Sequence, residues 1–241
     1  MSVRQQLLGT EAIVAALERG DALRRIVVCA EAEQELAELL TRARSAGVAV
    51  QRVSSRSFAR LRRHSDGSTA LGLVGPPPDA SHEEVLQGDG VTWHLVGGLY
   101  PGNAGMAVRT AEVSGASGAF IDAEFDREGR RAVLRASMRA DRFMPVFFGP
   151  AQPVLETAKR SGRRILGIED IGDRLPWEVD LTGRVHCVVG GEASGIPDSM
   201  LAGCDEVVRI PTSGFVPSYN LQGAVAAVAS EHLRQLSRIS A

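Results

Sequence analysis

The sequence predicts an α/β protein built in two parts, and three observations carry that reading. Short apolar runs alternate with amphipathic helical patterns along the chain, as expected where strands connect through helices. Pro76, Pro77 and Pro78 interrupt the alternation, and consecutive prolines favour an extended spacer over a paired strand. Near the C-terminal end, two apolar runs each enter a loop rich in Gly, Ser and Pro, over residues 188–197 and 206–220. The expected division is a small α/β domain over 1–75, a Pro-rich linker over 76–90 and a second α/β domain over 91–241.

In the first domain, Thr10 is placed to cap a helix that runs to Arg19 and stops at Gly20. Residues 25–29 read as a buried strand. Residues 31–46 read as a helix with Leu36, Leu39 and Leu40 inward, ended by Gly47. A strand over 48–53, a short helix capped by Ser54 or Ser55, a polar turn over 64–68 and a strand over 69–74 complete it. In the second domain, strands are expected over 91–96, 118–122, 145–148, 164–168, 186–189 and 206–210. Helices are expected over 105–114, 130–139, 154–161 and 221–236, with a helical turn over 197–201. Leu221, Ala224, Val225 and Val228 give the closing helix one apolar face. This order predicts a largely parallel sheet with function at the loops that follow the strands.

Composition narrows the classes. Hydrophobic residues at 44% and charged residues at 23% are ordinary for a soluble globular protein. No apolar run approaches the roughly 18 residues of a membrane span, and the N-terminus lacks the apolar core of a signal peptide. Cys29, Cys187 and Cys204 cannot all pair within the chain, so a reduced, cytoplasmic setting is expected. A net charge of −2 argues against nonspecific coating of nucleic acid but permits local basic patches. One cluster holds Arg52, Arg56, Arg60, Arg62, Arg63 and His64; another holds Arg127, Arg130, Arg131, Arg135, Arg139 and Arg142. Each reads as a solvated helix face or a polyanion surface, and at least one is taken as the latter. The histidines are scattered, without a metal-ligand spacing, so no metal is expected. Trp93 and Trp177 read as packing residues.

The segments with chemical content are three. Y-P-G-N-A-G-M-A-V-R-T (100–110) follows a strand and opens a helix, with Asn103 at the junction and Arg109 inside the helix. A capping Asn and a surface Arg are enough to explain this segment taken alone, and it lacks the dinucleotide glycine pattern. Residues 188–195 carry Glu192 in a Gly-rich loop, either a solvated acid or the acid of a pocket. Residues 210–220 carry Ser218, a candidate helix cap, and Asn220. Two such loops can enclose a small ligand, because glycine admits close backbone approach and the loops offer amide donors.

Taken in order, N-A-G-M-A-V-R-T-A (103–111), V-V-G-G-E-A-S-G-I-P (188–197) and C-D-E-V-V-R-I-P with S-Y-N-L-Q (204–211 and 218–222) resemble a known family. They resemble the three motifs of the SpoU, or TrmH-like, branch of the SPOUT RNA methyltransferases. Residues 1–75 resemble, less specifically, the ribosomal-protein-like substrate-binding domain that often precedes it. The resemblance implies a SPOUT-type parallel sheet whose C-terminal segment threads a deep trefoil knot, a rare exception to the rule against knots. It implies S-adenosylmethionine as cofactor, RNA (rRNA or tRNA) as substrate, ribose 2′-O-methylation, and a homodimer with composite active sites. By motif position it implies Gly190, Ile210 and Tyr219 at the cofactor, and Asn103, Arg109, Glu192, Ser218 and Asn220 as the catalytic set. A guanidinium is a poor base, so Arg109 is read as holding a phosphate or the nascent alkoxide. Glu192 is read as anchoring Arg109 or its own loop. The chain departs from the family pattern at Tyr100 (usually an acid before proline), Ala193 and Arg139 (often Gly) and Tyr219 (usually Leu). Two other activities fit the same resemblance: an RNA-binding assembly factor without catalysis, and a base-nitrogen methyltransferase.

Overall fold

A computed structural model describes residues 5–21, 23–61, 67–192, 194–216 and 218–239. Arg62, Arg63 and His64 of the first arginine cluster, most of the polar turn, and Ala193 and Pro217 lie outside the described residues. The chain divides into two compact units, Met1–Pro76 and Pro77–Ala241.

The first unit holds β1 (Gln5–Leu8), α1 (Gly9–Arg19), β2 (Leu23–Cys29), α2 (Ala37–Ser45), β3 (Ala49–Val53), α3 (Ser55–Leu61) and β4 (Ala70–Val74). Its sheet runs β1-β4-β2-β3, with β2 and β3 parallel and β4 antiparallel to both neighbours. The strand β1 is an addition to the expected pattern, too short to show periodicity. It turns directly into α1 at Gly9, whose φ of 81° suits glycine. The helix therefore begins on Leu8 without a side-chain cap, and Thr10 is not the cap. Ile13, Ile26, Leu39, Phe58 and Leu71 fill the core.

The second unit holds α4 (His82–Gln87), β5 (Thr92–Val96), α5 (Pro101–Val113), β6 (Gly118–Ile121), α6 (Arg127–Ala136) and β7 (Val146–Phe148). It continues with α7 (Ala151–Arg160), β8 (Arg164–Ile168), β9 (Val185–Gly190), α8 (Asp198–Leu201), β10 (Glu206–Val208) and α9 (Leu221–Ile239). The six strands run β10-β8-β9-β5-β6-β7 and every pair is parallel. One face packs Trp93, Leu95, Val108, Val225 and Val228 under α5 and α9. The other packs Val85, Leu86, Phe120, Leu155, Ile165 and Val188 under α4 and α7. The strand order reverses between β5 and β9, and a parallel sheet opens its ligand crevice beyond the carboxyl ends at such a switch.

Residues 76–90 are not a plain spacer. Within them Ser81 and Glu84 form a capping box: Glu84 N donates to Ser81 Oγ at 3.2 Å and Ser81 N to Glu84 Oε2 at 2.7 Å. The helix they start buries Val85 and Leu86 in the second unit. Trp177 also departs from expectation, since 54% of it is exposed.

A polar chain crosses the buried sheet. His186 Nδ1 lies 2.8 Å from Thr92 Oγ1, and His186 Nε2 lies 3.0 Å from His94 Nδ1. Burial pushes His94 down to about 3. Burial first, then the His94 and Arg163 charges, hold His186 well below the usual imidazole range. Both rings are therefore neutral in the fold, while the unfolded chain takes up protons below the ordinary value of 6.5. Stability is complete above that pH and is lost as pH falls from it toward 3. The limiting slope is about 1.4 kcal/mol per pH unit for each ring. Thermal midpoints measured through this range should fall, and His94→Gln should flatten the fall. An unchanged slope in that variant would place the acid sensitivity elsewhere.

Candidate active site

The loop after β9 is held by its glycines. Gly191 N donates to Val96 O at 2.8 Å, tying the loop to the end of β5, and Gly195 N donates back to Gly191 O at 2.9 Å. A Cβ on Gly190 would enter the backbone of Gly195 and Ile196, and one on Gly191 would enter the carbonyl of Gly98. Glu169, just past β8, holds the far side of the same loop. Its Oε1 accepts a short bond from Ile196 N, and a Cβ on Gly195 would meet that oxygen at 2.5 Å. Glu169 was not singled out in the sequence; its only signal is an acid directly after a strand.

A pocket of about 230 Å³ opens between this loop and the segment that links β10 to α9. Gly190, Glu192, Ile210, Ser218 and Tyr219 line it together, with Ile168, Val189 and Leu221 as apolar wall. Glu169, Asp170 and Thr212 also line it and were missed in the sequence.

Glu192 joins two helices. Its Oε1 accepts from Asn103 Nδ2 at 2.5 Å and from Leu221 N at 3.3 Å. Asn103 lies in the first turn of α5 because Pro101, pre-set for the first helical position, starts that helix earlier than the expected residue 105. Leu221 opens α9, so one carboxylate faces the positive ends of two helices. Asn220, not Ser218, caps α9: Gly223 N donates to Asn220 Oδ1 at 2.7 Å. Asn220 does not line the pocket. Arg109 stands further along α5, exposed, outside the pocket lining. Glu192 thus anchors Asn103 and the start of α9 rather than Arg109.

Residues 93–230 match the SpoU rRNA Methylase family. The chain belongs to the SpoU rRNA methylase family. It is similar to an uncharacterized tRNA/rRNA methyltransferase of Mycobacterium sp. (strain KMS), at 29% identity over 85% of this chain and 68% of the relative. It is also similar to the 23S rRNA (guanosine-2'-O-)-methyltransferase RlmB of Xanthomonas campestris pv. campestris, at 25% identity over 96% of each chain. Its fold resembles that of an AdoMet-bound rRNA methyltransferase from Sinorhizobium meliloti (TM-score 0.59, 20% identity, 97% of this chain and 88% of that one). It also resembles that of the SpoU methyltransferase AviRb from Streptomyces viridochromogenes in complex with AdoMet (TM-score 0.56, 23% identity, 98% of this chain and 91% of that one).

In this SpoU family member the departures from the usual motifs are visible. Tyr219 is half exposed, and its hydroxyl donates to Pro211 O at 3.4 Å. Tyr100 precedes Pro101 and is 63% exposed. Met138 and Arg139 both have positive φ, 56° and 61°, where glycine would be unstrained. Arg139 is paired with Asp141 at 2.7 Å. The second arginine cluster is partly spent on such local pairs: Arg135 meets Glu128 at 2.8 Å, and Arg130 lies over the Phe148 ring at 5.3 Å. In the first cluster Arg52 is paired with Glu33 at 2.8 Å. Among the described residues no group of three His, Cys, Asp or Glu side chains is placed to hold a metal ion, and no helix is long and apolar enough to cross a membrane.

Proposed function

We propose that this protein is an S-adenosylmethionine-dependent RNA methyltransferase that acts on a ribose 2′-hydroxyl of rRNA or tRNA in the cytoplasm. The observation that carries this reading is the pocket between the two C-terminal loops, with Glu192 bonded to Asn103 at its edge. Family membership and full-length similarity to a guanosine-2'-O-methyltransferase support it.

The pocket suits the cofactor by its donor set. Its lining includes three carboxylates, Glu169, Asp170 and Glu192, and no Lys or Arg, which favours a cationic ligand over a phosphate. When bound, the cofactor supplies an electrophilic methyl group on a sulfonium. Gly190, Ile210 and Tyr219 would hold it against the loop backbone. Asn103 and Ser218 would orient the ribose by hydrogen bonds, so that positioning supplies much of the rate. Glu192 keeps the Asn103 amide in place, and Asn220 fixes the first turn of α9. Arg109 would hold a phosphate or the developing alkoxide, since its charge is permanent and it is no base.

Arg109 stands outside the pocket of its own chain, which supports a homodimer in which it completes the partner's site. The position of β9 between β5 and β8, with both C-terminal loops closing on one pocket, supports the trefoil-knotted form of the fold. The first unit, with Arg56 and Arg60 exposed on α3, is proposed as the RNA substrate-binding domain.

Calorimetry with S-adenosylmethionine, together with transfer of a labelled methyl group to rRNA and tRNA, tests the proposal. Resistance to nuclease at the modified ribose is the expected product signature. A base-methylated product, or RNA binding without cofactor heat, would overturn it. Glu192→Gln should lower transfer by about 10- to 100-fold, the worth of a hydrogen bond to a charged group. Undiminished transfer in that variant would remove Glu192 from the site.

A further inference from the structure

Three arginines, Arg127, Arg130 and Arg131, stand exposed in the first half of α6. Their spacing makes them neighbours on the helix surface, where like charges repel. The positive end of the helix dipole adds to that repulsion. The adjacent acids are engaged elsewhere: Asp126 caps the helix, accepting from Gly129 N at 2.7 Å, and Glu128 is paired with Arg135 at 2.8 Å. The side chains of Arg127 and Arg131 have no ion-pair or hydrogen-bond partner among the described residues. Arg130 is held in place, since its Nε donates to Phe125 O at 3.2 Å and its guanidinium lies 5.3 Å from the centre of the Phe148 ring. Cations kept together without a counter-charge point to an anionic partner.

We infer that this face of α6 is an anchor for the RNA backbone, holding phosphates that flank the target nucleotide. This deepens the proposed ribose methylation and rests on it. The place of α6 in the second unit favours that occupant. Val133 of α6 shares a core cluster with Val108 of α5 and Leu221 of α9, so the three helices cover one face of the sheet. The packing of α6 on α5 is close: a Cβ on Gly105, two residues past Asn103, would come within 2.5 Å of Ala136 Cβ and Val133 O. The strands are all parallel, so their carboxyl ends share one edge. Along it Phe148 pairs with Ile121, Ile121 with Leu95, and Leu95 with Val189, which lines the pocket. Phe148, under Arg130, is thus three strand spacings from the pocket wall, about 15 Å. A strand whose ribose enters the pocket has phosphates to place at that range, and a guanidinium suits them. Such contacts fix register and carry no sequence information. The end of α6 is closed by the Asp126 cap, so the side chains carry the binding.

The test uses the intact protein, with fluorescence anisotropy on a labelled RNA hairpin and methyl transfer to rRNA and tRNA. An Arg127→Gln, Arg131→Gln double variant should bind the hairpin roughly tenfold more weakly, and its salt slope should fall by about 1.5. KM for RNA should rise by a similar factor while kcat holds, because the anchor is engaged before the transition state as much as in it. The control is a Lys159→Gln, Arg160→Gln double variant, which loses the same charge. Both residues are exposed in the last turn of α7, on the opposite face of the sheet. It should bind RNA like wild type. Cofactor heat reports that both variants are folded. Wild-type binding by the α6 variant, or an equal loss in the α7 variant, would overturn the inference, the latter because net charge alone would then explain the effect. So would a loss of binding that follows a loss of mass in light scattering, since the face would then belong to a contact between copies. Wild-type protein with no affinity for any RNA would overturn the underlying function instead.

Discussion

Arg109→Ala should abolish methyl transfer while fold and cofactor affinity stay where they are. The expected loss is about 100- to 1000-fold, the effect of removing one donor aimed at developing negative charge. The unchanged fold follows from position. Arg109 is exposed on α5 and outside the pocket lining, so its removal opens no cavity, and alanine suits a helix. Arg109→Lys keeps the charge and loses the planar fork, so it should recover only part of the rate. Near-wild-type turnover in the alanine variant would sink the assigned role.

Mixing adds a sharper readout. If Arg109 completes the partner's pocket, dimers of one Arg109→Ala subunit and one Glu192→Gln subunit contain one site in which both groups are intact. Transfer should then rise when the two impaired variants are mixed. If each subunit uses its own Arg109, mixing restores nothing.

The parts of this architecture that were legible in the sequence are those with local causes. The strands of the parallel sheet announced themselves as short apolar runs, and the close backbone approach at Gly190 and Gly191 as a Gly-rich loop after one of them. What stayed hidden depends on distant partners. Glu169 matters through a bond to Ile196 N, a residue far along the chain, and no periodicity reports such a bond. The choice of Asn220 over Ser218 as the cap depends on where α9 starts, which the second loop decides as it closes on the pocket. The helix α4 was hidden for another reason. Three prolines give this stretch the composition of a spacer, while the S-H-E-E signature of its capping box stands a few residues beyond. The separation of Arg109 from Glu192 was also beyond reach, because motif order says nothing of which groups meet.

The largest stability effect is expected at a residue with no place in the chemistry. Arg163 is 3% exposed, between α7 and β8. Its guanidinium donates to five backbone carbonyls: Leu86 at 2.8 Å, Gly90 at 2.7 Å, Val185 at 3.2 Å, Val85 at 2.9 Å and Gly88 at 2.8 Å. Several of these are carbonyls at the end of α4, which no helical amide can satisfy and which carry the negative end of the helix dipole. Burial, then the nearby Arg184 charge, push the Arg163 guanidinium down to about 10, so it remains charged at neutral pH. Arg163→Ala removes the guanidinium from all five acceptors, leaving Leu86 O only Arg184 Nη2 at 3.3 Å and Val185 O only Thr92 Oγ1 at 3.4 Å as side-chain donors, and opens a cavity, and should cost about 3–5 kcal/mol. Arg163→Lys supplies three donors in place of a five-donor fork and should recover only part of that. Urea unfolding followed by circular dichroism measures both, and a loss below about 1 kcal/mol for the alanine variant would mean that the carbonyls find other partners. The loss should appear in stability and not in the site. Gly90 and Val185 stand at the amino ends of β5 and β9, whereas the pocket opens at the carboxyl end of β9. Cofactor heat per folded molecule is therefore expected to survive the substitution, which separates what holds this sheet together from what the sheet holds in place.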